Sequence, residues 1–190
     1  MIDAVRRDAA AGYPSALAAP RADAAERDVV SAQLGRPARG RPAVVHRCAH
    51  GLPTVVRVDP RLEDGTPFPT LFWLTCPRLR SEVGRLEADR EMRRLGERLA
   101  DEPELAEAYA SAAQRYVAAR DGLGRPLDGG PGAGGMPDRV KCLHVHVAHE
   151  LATGDNPIGR LALERILPMA CPEPCVRADA TGGLAHGTSA

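Results

Sequence analysis

Thr70-Leu71-Phe72-Trp73-Leu74-Thr75-Cys76-Pro77-Arg78-Leu79 is the stretch that decides the fold. Residues 70–75 are apolar or β-branched on both faces, which suits a short buried strand and is too brief for a helix. Pro77 then fits the first position of a helix, where its missing N–H costs nothing. Leu79, Val83 and Leu86 continue at helical spacing to about Ala100, with charges elsewhere. A buried strand feeding an amphipathic helix predicts an α+β domain.

Working outward, Val44 to Arg47 and Thr54 to Val58 are β-branched runs flanking Cys48-Ala49-His50-Gly51. They read as a hairpin, so a small antiparallel sheet of about three strands is expected. Ala22 to Leu34 has helical composition and stops at Gly35. Pro103 opens another helix carrying Leu105, Tyr109, Tyr116 and Val117, which makes a helical hairpin with the preceding one. Pro137 to Ala152 is a further expected helix, with Val140, Leu143, Val147 and Leu151 in register. Asn156-Pro157 caps a last helix ending near Leu167. The sheet is therefore expected to pack against the helical hairpin and these C-terminal helices. Residues 22–167 read as one domain. Residues 1–21, alanine-rich with Gly12, Pro14 and Pro20, read as a disordered lead-in, and 168–190 as a disordered tail. The seven glycines from Gly122 to Gly135 read as a flexible loop or lid.

Composition narrows the function classes. The 190 residues carry equal numbers of acidic and basic groups, so no electrostatic footprint for nucleic acid or an anionic membrane is present. No apolar run approaches the roughly 20 residues that span a bilayer, and the first residues lack the apolar core of a signal peptide. A cytoplasmic location is the expectation, with the five cysteines as thiols or metal ligands rather than disulfides. Against 24 arginines stand one lysine (Lys141) and one asparagine (Asn156), a skew typical of a GC-rich genome. Residues that persist against it, Phe68, Phe72, Trp73, Lys141, Asn156 and Ile158, mark stretches worth attention.

Three stretches carry the candidate chemistry. Cys76 ends the strand and precedes Pro77, at a helix N-terminus where unpaired amides stabilise a thiolate, so its pKa is expected to fall. The plainer reading is a small buried hydrophobe. Cys48 and His50 are both zinc ligand types held in one turn; the plainer reading is a histidine that only satisfies its own turn backbone. In Gly134 to His144, a glycine-rich approach leads to Arg139, Lys141, Cys142 and His144. The two cations beside a helix start suit a phosphate or carboxylate. On a continuous helix His144 joins the core-facing stripe, and Cys142 lies on the other side with His146 and His149. An extended Arg139–Cys142 would instead turn Cys142 inward, and both arrangements are open. Cys171-Pro172-Glu173-Pro174-Cys175 has a ligand-like look, but its prolines and polar setting argue for disorder.

The stretches "QLGRPARG", "RCAHGLPTVV", "LEDGTPFPTLFWLTCPRL", "AGGMPDRVKCLHVHVAH" and "NPIG", in that order from about Val29 to Gly159, resemble domain of unknown function family five-hundred-one, from high-GC Gram-positive bacteria. The resemblance implies no assigned activity, fold or cofactor. It implies a Cys/His pattern at Cys48, His50, Cys76, Cys142, His144 and His149, with His146, Cys171 and Cys175 outside it. It also suggests a setting near cell division or polyphosphate metabolism.

Three functions follow as expectations. The first is a metal-stapled binding module, with zinc held by Cys48, Cys76, Cys142 and one of His50 or His144. The second is a thiol enzyme with Cys76 or Cys142 as nucleophile and His144 as base, binding a small anionic substrate through Arg139 and Lys141. The third is a metal-free scaffold whose helical hairpin meets a protein partner. The first and third rank together, ahead of the second. Whether the chain is an enzyme stays open.

Overall fold

Asp23 starts the first well-capped helix. Its carboxylate accepts the Glu26 amide while the Glu26 side chain accepts the Asp23 amide, a complete capping box. A computed structural model describes residues 9–124, 126–127, 132–178 and 184–186. Helices α1 (Ala9–Ala18) and α2 (Ala24–Leu34) precede strands β1 (Ala43–Arg47), β2 (Pro53–Arg57) and β3 (Phe72–Leu74). Helices α3 (Pro77–Ala88), α4 (Glu91–Asp101), α5 (Pro103–Asp121), α6 (Leu143–Thr153) and α7 (Pro157–Ile166) follow. A hairpin of β4 (Val176–Ala178) and β5 (Leu184–His186) comes last. This is an α+β fold.

The three-stranded sheet has the order β1-β2-β3, antiparallel throughout, with Val55 opposite Leu74 and Val56 opposite Trp73. Gly51 reaches φ 74° in the β1–β2 turn, a conformation that favours glycine. Central β2 is buried at every residue. The core joins Val55, Phe72 and Leu74 of the sheet to Leu79, Val83, Leu95, Tyr109, Tyr116, Leu143, Val147 and Ile158 of the helices. Helix α6 lies at its centre and packs against α1, β3, α3 and α7. None of the helices among the described residues is long and apolar enough to cross a membrane.

Four expectations are corrected. The lead-in is helical over Ala9–Ala18, because Tyr13 reaches the core and Gly12 sits directly against the Thr153 backbone of α6. Residues 1–8 lie outside the described residues. The long helix from Pro77 breaks at Asp89 and Arg90. Arg90 takes a left-handed φ of 63°, redirecting the chain so that Leu95 is buried. The helix expected from Pro137 begins only at Leu143. Lys141 N–H bonds Gly134 O at 2.7 Å, the Tyr109 hydroxyl donates to Arg139 O, and Cys142 is extended at φ −152°. The tail is structured at Cys175 and in β4, where Cys175 and Val176 are buried; residues 179–183 and 187–190 lie outside the described residues. Of the glycine-rich loop, Ala133–Gly135 forms a 3₁₀ turn, and residues 125 and 128–131 lie outside the described residues.

Candidate metal centre

The extended Cys142 is the N-cap residue of α6, and its side chain makes no capping hydrogen bond. The cap comes from another helix. Glu87, in the last turn of α3, accepts the Leu143 amide through Oε1 at 2.7 Å, placing a carboxylate at the positive end of α6. His144, one residue on, points its Nδ1 at the same Oε1, 3.2 Å away. Cys142 Sγ, a His144 ring nitrogen and a Glu87 oxygen all lie within 4.8 Å of one another.

The far side of the imidazole fixes its chemistry. His144 Nε2 lies 3.1 Å from the Arg80 carbonyl, which only accepts, so Nε2 carries the hydrogen. The Nδ1 lone pair of a neutral His144 would then face a carboxylate oxygen. Two acceptors in that position need a cation between them, either a proton or a metal. The environment supplies for the proton: hydrogen bonding with Cys142 first, then the Glu87 charge, raises the His144 pKa. A cysteine sulfur, an imidazole nitrogen and a carboxylate, half-buried together, are also the ligand types of zinc. The carbonyl on Nε2 is the outer partner that orients such a ligand.

The centre borders a groove of about 360 Å³ that Cys142 and His144 share with Leu34, Arg36, Trp73 and Arg80. Trp73 stacks on Phe68 at 5.2 Å, and the Arg36 guanidinium lies 5.7 Å from its ring centroid. Arg139 and Lys141 are exposed on the segment before α6. The cations that line the groove are Arg36 and Arg80.

Cys48, His50 and Cys76 line a different cavity with His46 and Cys171. The set of Cys48, Cys76 and Cys142 expected around one metal is therefore divided between two places. The reason is the late start of α6 at Leu143: its N-cap lies against the end of α3, whereas Cys76 lies at that helix's start. Cys76 is the N-cap of α3 as expected, but its pKa moves upward. The hydrogen bond with Cys175 and burial raise it, outweighing the amides of Leu79 and Arg78 that act the other way. Cys175 is lowered to about 6 by Cys76, assisted by Gln33.

His146 and His149 are fully buried, the reverse of the expected helix face. Asn156 explains it. Its Nδ2 lies 3.3 Å from His146 Nδ1 and 2.9 Å from His149 Nδ1, giving one amide hydrogen to each ring. Its Oδ1 accepts the Gly159 amide and its own N–H donates to Glu150 Oε2, both at 2.7 Å. The ring Nε2 atoms turn to Gly134 O and the Tyr13 hydroxyl. This network ties α1, α6, α7 and the 3₁₀ turn together.

The model of the family described as a protein of unknown function, DUF501, matches residues 44–164, well over half of the chain. The chain belongs to DUF501. No curated protein and no solved structure matches it. The matched DUF501 span holds Glu87, Cys142 and His144 together with Cys48, His50 and Cys76. Gln33, Arg36, Cys171 and Cys175 fall outside it. Sequence reasoning missed Glu87, which sits among other charges in α3 with no local mark. It also missed Arg36 and Arg80, two of 24 arginines. Asn156 was legible as a rarity, though its role was not.

Proposed function

We propose that this DUF501 protein binds a divalent transition metal, zinc by ligand type, through Glu87, Cys142 and His144, and uses it with the adjoining groove to hold a small anionic ligand. The observation that carries the reading is the placement of His144. Its Nε2 is committed to the Arg80 carbonyl, so its Nδ1 lone pair meets Glu87 and Cys142 as a third donor. Three protein ligands leave a further position for water or a ligand atom. Arg36 and Arg80 on the groove favour a phosphate or carboxylate there.

The test is metal stoichiometry on purified protein, with affinity from competition against a chromophoric chelator. The expected result is one zinc per wild-type chain. Glu87→Gln, Cys142→Ser and His144→Gln should each weaken it at least tenfold, and Cys48→Ser should leave it unchanged. Wild-type protein without stoichiometric zinc, or losses that follow Cys48 instead of Cys142, would refute the reading. Phosphate serves as the anion probe, followed through the emission of Trp73. A response that needs zinc and falls in Arg36→Gln supports the groove assignment. Emission unchanged by phosphate in the zinc-loaded protein refutes it.

A further inference from the structure

We propose that the groove beside the metal centre takes the phosphate monoester of a small apolar alcohol, its phosphate on the metal and the two arginines and its hydrocarbon body along the groove wall. This rests on the metal reading above and names the class of ligand that the same site selects. The groove offers about 360 Å³, within the range of roughly 300–1,000 Å³ in which proteins hold small organic molecules. A lone phosphate would leave most of that volume to water.

Charge selects the head. Arg36 and Arg80 line the groove, and neither has a carboxylate partner among the described residues. Arg21, Arg47, Arg115 and Arg160, by contrast, are each held by an acidic side chain. The Arg36 guanidinium lies over the Trp73 ring, and that of Arg80 donates to the Gln33 carbonyl at 3.5 Å. Two guanidinium groups without a counter-charge, on the same groove as a metal, call for an anion with several oxygens. A phosphate monoester brings three acceptor oxygens and close to two charges at neutral pH. A carboxylate has fewer of both and would leave one of the cations unmatched.

Polarity selects the body. The rest of the wall is Leu34, Thr70, Phe72, Trp73, Leu74 and Val145. Trp73 spends its indole N–H on the Thr70 carbonyl at 3.1 Å. Apart from the cations and the metal donors, the Thr70 hydroxyl is then the one polar side-chain group left on this wall. A sugar or a nucleobase would bury hydroxyls and ring nitrogens here without partners, a penalty that hydrocarbon does not incur. Apolar surface laid against the same wall is favourable. The volume of the groove limits that surface to a short chain or a single ring.

The test titrates zinc-loaded full-length protein with inorganic phosphate and with ethyl, butyl, hexyl and decyl phosphate. Binding is followed by calorimetry and through Trp73, the chain's one tryptophan. Affinity should rise along the series to hexyl phosphate, at least about tenfold tighter than inorganic phosphate, and rise no further at decyl. A tenfold gain needs only about two methylene groups fully buried. Glucose phosphate and adenosine monophosphate should bind no tighter than inorganic phosphate. Hexanol, which has the chain without the anionic head, should bind at least about tenfold more weakly than hexyl phosphate. Leu34→Ser should shrink the gain from inorganic to hexyl phosphate. Zinc-dependent binding of inorganic phosphate with no gain along the series overturns this inference and leaves the metal reading standing. Sugar phosphate or nucleotide that matches hexyl phosphate, or hexanol that does, overturns it too. So does an affinity still climbing at decyl phosphate, the mark of adsorption to a surface rather than of a filled groove. Protein that holds no zinc and answers none of the phosphates takes both readings down. The wild-type series decides between these outcomes even if Leu34→Ser does not fold.

Discussion

Acid should unfold this protein through His146 and His149. Both rings are buried with their Nδ1 atoms accepting from the Asn156 amide. Protonating either ring would set its new N–H against that amide, donor against donor, in a site closed to solvent. Burial is the main cause that lowers the pKa from 6.5 to about 4 for His146 and about 3 for His149. The charge of Arg115 lowers His149 further, while the Glu87 charge and the Gly134 carbonyl act upward on His146. The Tyr13, Tyr109 and Tyr116 hydroxyls nearby remain neutral, their pKa values raised by burial.

The sign follows from proton uptake. Below pH 6.5 the unfolded chain protonates both histidines and the folded protein does not, so stability falls as pH falls. The loss begins near 6.5 and ends at the folded values of about 4 and 3. Each histidine contributes a loss of about 2 kcal/mol between pH 7.5 and pH 5, or about 4 kcal/mol for the pair. That is a large share of the 5–15 kcal/mol typical of a domain. Urea unfolding at a series of pH values measures it. His149→Phe, which keeps a ring beside Phe72 and Tyr116, should halve the pH dependence. Stability that is flat from pH 7.5 to 5.5 would refute the reasoning. So would an imidazole of His146 or His149 that titrates near 6.5 by NMR in the folded protein.

Asn156→Ala removes a helix cap and strands two buried ring nitrogens, so a loss of roughly 3 kcal/mol is expected in urea unfolding; a loss below about 1 would show that water replaces the amide. Gly159→Ala would put a Cβ 2.1 Å from the His146 carbonyl and should prevent α7 from docking, read as a collapse of the thermal transition. Gly84→Ala in α3 meets nothing within 4 Å and should stabilise by about 0.5–1 kcal/mol in the same assay. In Gly12→Ala a Cβ would lie 2.0 Å from Thr153 O. That should release α1, seen as fast amide hydrogen exchange over Ala9–Ala18, while the sheet stays protected.

The order of strands and helices was legible because local patterns carry it. The apolar run at 70–75, Pro77 at a helix start, the capping Asn156 and Gly35 at φ 67° all act within a few residues of themselves. What misled was also local. The helical periodicity of Pro137 to Ala152 was real, yet contacts with Gly134 and Tyr109 hold residues 139–142 extended. The alanine-rich start looked unable to bury enough surface, but α6 offers it a face and Tyr13 a partner in His149.

By itself, the sequence determined the α+β class, the antiparallel hairpin and the residue types able to ligate a metal. Period, turn chemistry and capping are short-range effects that any window of the chain displays. Which of those residues meet was decided only by the tertiary structure. Glu87 joins Cys142 and His144 because α3 ends where α6 begins, and Gln33 meets Cys175 because the last segment returns to pack against α2. Such pairings depend on the directions of packed helices, set by the whole core at once. A rare residue such as Asn156 can be noticed in the sequence, but the two imidazoles that it holds neutral are visible only in the fold.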